Sequence, residues 1–176
     1  SGPEHVTIPE IINIAETSGL ILELTVEILE QACSFIASLE AHGLSTSVAV
    51  NISAVQFKYQ NIVSILKTAI ERSNIRADRL VIEITESVFV GSFARVKQTF
   101  SELQDLGIDI AIDDFGTGYS SLNYLNELNA DWLKIDQSFI NNIDKPDGER
   151  FVYAFTELSR AVGTKMVAEG VETLKQ

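Results

Sequence analysis

Five short β-branched runs alternating with longer amphipathic stretches set the tightest limit on what this chain can fold into. The runs are 47–51 (Ser-Val-Ala-Val-Asn), 80–84 (Leu-Val-Ile-Glu-Ile), 108–112 (Ile-Asp-Ile-Ala-Ile), 131–135 (Asp-Trp-Leu-Lys-Ile) and 165–169 (Lys-Met-Val-Ala-Glu). Helical patterns fill the intervals near 60–72, 92–106, 119–127 and 149–162. In the first, Ile62, Ile65, Leu66, Ala69 and Ile70 recur at three- and four-residue spacing. Gly107 and Gly163 stand where a helix ends before the next strand, as left-handed caps do. Two further helical segments, 9–18 and 22–42, come first; the second lays Leu24, Ile28, Ala32, Phe35, Ile36 and Leu39 on one face and stops at Gly43. This alternation predicts a parallel sheet with crossover helices.

An open doubly wound sheet and a (β/α)8 barrel share that pattern. The first strand–helix junctions lack the Gly-rich phosphate loop of dinucleotide-binding sheets. Polar residues gather instead at the C-terminal ends of several strands, the rim where barrel active sites form. The barrel is therefore preferred. With 176 residues, the chain is shorter than the roughly 250 typical of a closed barrel, so an incomplete TIM-type barrel of about five to six strands is expected. Hydrophobic residues make up 45% of it, enough for one globular core.

A formal net charge of −12 argues against polymeric nucleic acid, whose affinity comes from Lys and Arg on phosphates. A small phosphate ligand remains compatible if divalent cations reverse the sign locally. Cys33 is the single cysteine, which excludes an internal disulfide, fits a reducing compartment and reads as a packing residue. No apolar run reaches the roughly 18–20 residues of a membrane span, and the start, Ser1-Gly2-Pro3-Glu4-His5, has no signal-peptide pattern. The domain is expected on the cytoplasmic side, free or carried by a parent anchored in the inner membrane.

Each strand ends in chemistry. Asn51 closes the first; Glu83, with Glu86 beyond it, the second; Asp113 and Asp114 the third; Lys134 and Asp136 the fourth; Glu169, with Glu172 three residues on, the fifth. Asn and Asp are common turn formers at such places, so singly they mean little. Glu83 and Lys134 differ because they interrupt apolar runs, where an unpaired charge costs several kcal/mol. Oxygen ligands gathered without His or Cys suit Mg2+ or Mn2+ rather than Zn2+. Adjacent aspartates let one carboxylate bridge two ions, the usual device for in-line attack on a phosphodiester.

The stretch 113–121 (Asp-Asp-Phe-Gly-Thr-Gly-Tyr-Ser-Ser) makes a compact loop leading to a short helix near Ser120. Together with Asn51-Ile52-Ser53, Glu83-Ile84-Thr85-Glu86-Ser87, Lys134-Ile135-Asp136 and Glu169-Gly170-Val171-Glu172-Thr173, it resembles the successive signature motifs of EAL domains, in the family's order and at about its separations. Residues 15–21 and 31–33 are similar to that family as well, so the resemblance covers essentially the whole chain. It implies hydrolysis of cyclic di-GMP to linear pGpG with Mg2+ or Mn2+, two ions in all. Asn51, Glu83 and Asp113 would ligate the first ion, Asp113 bridging to a second held partly by Asp114. Lys134 would steady the attacking water and the phosphate charge, and Glu169 would be the general base. Glu86 would anchor the loop that begins at Asp113, with Asp136 and Glu172 in support. The 114–121 region would shape a homodimer contact, and the parent would carry other signalling domains.

Two departures qualify the resemblance. The family's Glu-Ala-Leu strand, with its metal-binding glutamate and nearby arginine, has no counterpart, nor do the last strands and their glutamine. The expectation is a domain truncated at both ends, its missing strands leaving the isolated 176-residue chain poorly soluble and without appreciable activity. Asn129 stands where proline is common. The rival readings are a degenerate EAL module that binds cyclic di-GMP or a protein without hydrolysis, and an unrelated metal-dependent barrel such as an enolase-type lyase.

Overall fold

The computed structural model describes residues 6–59, 61–89, 92–117 and 122–176. Two helices lead, α1 (Ile8–Ser18) and α2 (Ile21–Ala41). The alternation then runs β1 (Val48–Asn51), α3 (Ala54–Tyr59), α4 (Ile62–Ser73), β2 (Leu80–Thr85), α5 (Phe93–Asp105), β3 (Asp109–Phe115), α6 (Leu122–Leu128), β4 (Trp132–Ile135), α7 (Gln137–Asn141), α8 (Gly148–Val162) and β5 (Lys165–Ala168). Short 3-10 turns at Ala77–Arg79 and Glu86–Phe89 flank β2.

Every strand pairing is parallel, and the order across the sheet is β1-β2-β3-β4-β5. Strands adjacent in sequence are adjacent in space, the winding of a (β/α)8 barrel; a doubly wound sheet would reverse direction partway. Among the described residues β1 and β5 are each paired on one side, so this is an incomplete barrel with five strands.

The core lies between the sheet and its helices. Leu80, Ile82 and Ile84 of β2 and Ile110 and Ile112 of β3 are almost wholly buried, with Leu66 of α4 and Phe100 and Leu103 of α5 in the same cluster. Because successive strand residues point to opposite faces, the alternate positions face the other way: 49 and 51, 81, 83 and 85, 109, 111 and 113, 132 and 134, 165, 167 and 169. That second face carries the polar residues. Cys33 is fully buried in α2, and burial pushes its thiol pKa up, as an inert packing residue requires.

The expected boundaries need three corrections. The third strand, expected to close at Asp113 and Asp114 after the run ending at Ile112, continues to Phe115. The helix expected from 119 or 120 begins, within the described residues, at Leu122, and 118–121 fall outside them. Finally, α3 and α7 were not anticipated; both are too short for a helical period to show.

Candidate active site

Parallel strands in register set the ends of neighbouring strands side by side. Asn51 pairs with Glu83, and Thr85 with Asp113; Lys134 pairs with Val167, two residues short of Glu169. Glu83, Asp113, Lys134 and Glu169 therefore project from one face at one end of the sheet.

Their meeting point is the ammonium of Lys134. Its Nζ lies 2.9 Å from Glu83 Oε1, 3.0 Å from Asp113 Oδ1 and 2.8 Å from Glu169 Oε1. The Lys134, Glu83 and Asp113 side chains are only 13–14% exposed, and that of Glu169 33%. The charges embedded in apolar runs thus partner one another across three strand pairs. Burial alone would lower the Lys134 pKa, but hydrogen bonds to Glu169, Glu83 and Asp113 outweigh it and hold the ammonium above the ordinary lysine range.

Asp114 joins the cluster by breaking the strand's alternation. Consecutive strand residues should point to opposite faces, yet Asp114 has φ 52, in the left-handed region, and the β3–β4 register shifts between Ile112 and Phe115. With its N–H bonded to Asp113 Oδ1 at 3.0 Å, Asp114 brings a carboxylate oxygen within 4.8 Å of oxygens of both Asp113 and Glu169. Desolvation comes first in raising the Asp114 pKa, followed by the charges of Asp113, Asp136 and Glu169, with Lys134 pulling the other way. One ammonium facing the carboxylates of Glu83, Asp113, Asp114 and Glu169 leaves three negative charges unbalanced. This donor set, all oxygen and short of positive charge, fits hard divalent cations.

Supporting residues take their places around this centre. Glu86, in the turn after β2, accepts the Gly116 N–H on Oε1 at 2.9 Å, while its buried Oε2 has no hydrogen-bond partner among the described residues. Asp136 caps α7, accepting from Ser138 N–H at 3.0 Å, and these hydrogen bonds from Ser138 lower its pKa. Glu172 is exposed beyond β5, and no described contact ties its side chain to the cluster. Asn51 is exposed at the end of β1 and lines, with Thr85, Ser87 and Asp114, a cavity of about 1040 Å3 that runs back between α1, α2 and β1. Half of the stretch expected to make a dimer contact, 118–121 of 114–121, lies outside the described residues.

Sequence reasoning missed two neighbours of the site. Gly170 has φ 69 and packs so closely on Gln137 that a Cβ there would lie 2.7 Å from the Gln137 Cβ. Ser53 donates its hydroxyl to Glu16 Oε1 at 2.6 Å. The glycine within 169–173 and the polar Glu16 in a segment already matched to the family were visible signals, though neither showed its partner.

The EAL domain family model matches residues 2–176. The bifunctional diguanylate cyclase/cyclic di-GMP phosphodiesterase MucR of Pseudomonas aeruginosa is 37% identical over 99% of this chain, which spans 26% of that protein. A solved structure of the MucR phosphodiesterase in complex with c-di-GMP superposes with a TM-score of 0.91 at 37% identity, over 98% of this chain and 72% of that one. BlrP1 of Klebsiella pneumoniae, solved as a manganese/cy-diGMP complex, aligns with a TM-score of 0.74 at 27% identity, over 85% of this chain and 38% of its own. Among the described residues no helix is long and apolar enough to cross a membrane.

Proposed function

This chain belongs to the EAL domain family, and from that premise we propose that it is the central part of a phosphodiesterase domain that opens cyclic di-GMP to linear pGpG with two Mg2+ or Mn2+ ions. The observation that carries the reading is Lys134 Nζ held within 3.0 Å of carboxylates from β2, β3 and the residue after β5, with Asp114 beside them.

In this reading Asn51, Glu83 and Asp113 would hold one ion, and Asp113 with Asp114 would hold a second. When bound, such ions would supply charge to offset the phosphate and lower the pKa of the attacking water. Glu169 takes the proton of that water, a task for which proximity matters first and pKa second. The water oxygen would form a bond to phosphorus as the bond from phosphorus to a ribose 3′ oxygen breaks, and the proton taken by Glu169 would end on that departing oxygen, directly or through solvent, as the ring opens. Lys134, 2.8 Å from the Glu169 carboxylate, orients that base and faces the negative charge that builds on the phosphate oxygens. Glu86 holds the backbone after Asp114 through the Gly116 N–H, and Asp136 fixes α7 beside the Glu169 turn. Glu172 plays a supporting part further out, and two copies meet through 114–121.

The test uses the full-length parent with cyclic di-GMP and Mg2+ or Mn2+, product followed by chromatography. Turnover to pGpG is expected, and Glu169→Gln should lower it by at least about a hundredfold. Binding of cyclic di-GMP without turnover in either metal would instead make this a ligand-binding module.

A further inference from the structure

We infer that Glu16, on a helix outside the sheet, is a positioning residue for the metal centre, acting through Ser53 to fix the turn that presents Asn51. The inference rests on the proposed role of Asn51 as a ligand and adds the device that holds it.

Asn51 ends β1, which among the described residues is paired with β2 alone. The chain turns at Ile52, whose N–H donates to Glu83 O at 2.8 Å, and enters α3 at Ser53. Ser53 caps α3. Its hydroxyl oxygen accepts from Val55 N–H at 3.1 Å, and Gln56 Oε1 accepts from Ser53 N–H at 3.0 Å. The first is an N-cap bond to the second residue of the helix, and the second is the return arm of a capping box, with Gln three residues after the cap. A hydroxyl has a single proton to donate, and that of Ser53 goes to Glu16 Oε1 at 2.6 Å, across 37 residues of sequence. The bond fixes the rotamer in which the oxygen faces Val55. Glu16 therefore locks the cap, and the cap locks the turn two residues from Asn51.

The setting of Glu16 supports the same conclusion. It lies in the last turn of α1, where the helix dipole favours cations and disfavours a carboxylate, and that turn holds no basic residue. Ala15 is the one buried residue of α1, and Ile8, Ile11 and Ile14 are exposed, so apolar packing alone ties the helix only lightly to the sheet. Glu16, Ser53 and Asn51 also line the same cavity. The second partners of metal ligands characteristically tune affinity by about 10- to 100-fold.

The experiment is Mn2+ titration of the metal-stripped full-length parent, read by the electron paramagnetic resonance signal of free Mn2+. Glu16→Ala and Ser53→Ala are each expected to weaken Mn2+ binding about tenfold. The double variant should be no weaker than the worse single one, because both remove the same bond. Glu16→Gln and Ser53→Thr keep an acceptor and a hydroxyl and should stay within about twofold of wild type. Should an alanine variant misfold, Glu16→Met keeps volume and helix propensity while deleting the acceptor, and the same tenfold loss is expected. Unchanged affinity in Glu16→Ala or Glu16→Met, or losses that add in the double variant, would overturn the inference alone. A wild-type parent that binds no Mn2+ would overturn it together with the metal-dependent reading.

Discussion

At the residue scale the centre is under electrostatic tension that Lys134 only partly relieves. Asp114 shows it, desolvated, with a left-handed backbone and the like charges of Asp113, Asp136 and Glu169 around it. Its folded-state pKa lies above the value in the unfolded chain. The folded state therefore carries a penalty at neutral pH, where Asp114 is ionised, and none below the unfolded value, where it is protonated in both states. Asp114→Asn removes that penalty and suits the left-handed backbone. It should raise the melting temperature of the metal-free protein by on the order of 2 °C at pH 7.5, a gain that shrinks as the pH falls toward 4. Mn2+ affinity should drop at the same time. A melting temperature that falls at neutral pH would show that Asp114 is not strained as the cluster implies. Strain stored at a site and relieved by substitution is a common trade between stability and function.

Among the elements, the loop after β3 is clamped between a carboxylate and a group of aromatic rings. Gly116 donates to Glu86 on one side. On the other, Phe155 of α8 and Phe139 of α7 leave no room, since a Cβ on Gly116 would lie 2.8 Å from one ring and 3.0 Å from the other. Phe115, Phe139 and Phe155 pack edge to face around it, at centroid distances of 5.7 and 5.0 Å. Gly116→Ala also meets an unfavourable φ of 97 and is expected to cost more than about 1 kcal/mol in urea unfolding; a cost below that would mean that the rings give way. The strands were legible in the sequence because their short β-branched runs stand between longer helical patterns, and Glu83 and Lys134 stood out as charges within them. What escaped was local or distant. Residues 54–59 and 137–141 are too short to show a helical period and depend on caps such as Asp136. β3 looked finished at Asp114 because an Asp-Asp pair reads as a turn. No pattern along the chain announces a bond between Glu16 and Ser53, or the left-handed twist that lets two adjacent aspartates face the same way.

For the whole molecule, a net charge of −12 favours any divalent cation that finds the cluster, and salt should weaken that attraction. At a hundred times its dissociation constant, Mn2+ should stabilise the protein by about 2.7 kcal/mol, roughly 5–10 °C in melting temperature. Chelation should reverse the shift, and raising NaCl should reduce it at fixed Mn2+. A melting curve indifferent to Mn2+ would contradict cation binding at this centre. The unbroken order of the sheet also bears on how the protein comes into being. Each strand needs only its predecessor as a template, so assembly can follow synthesis from the first unit onward without waiting for distant segments. Asn51 is laid down early, Lys134 enters with the fourth strand and Glu169 only after the fifth. On the proposed roles, a nascent chain would thus gain the side chains assigned to the metals well before Glu169, the proposed base.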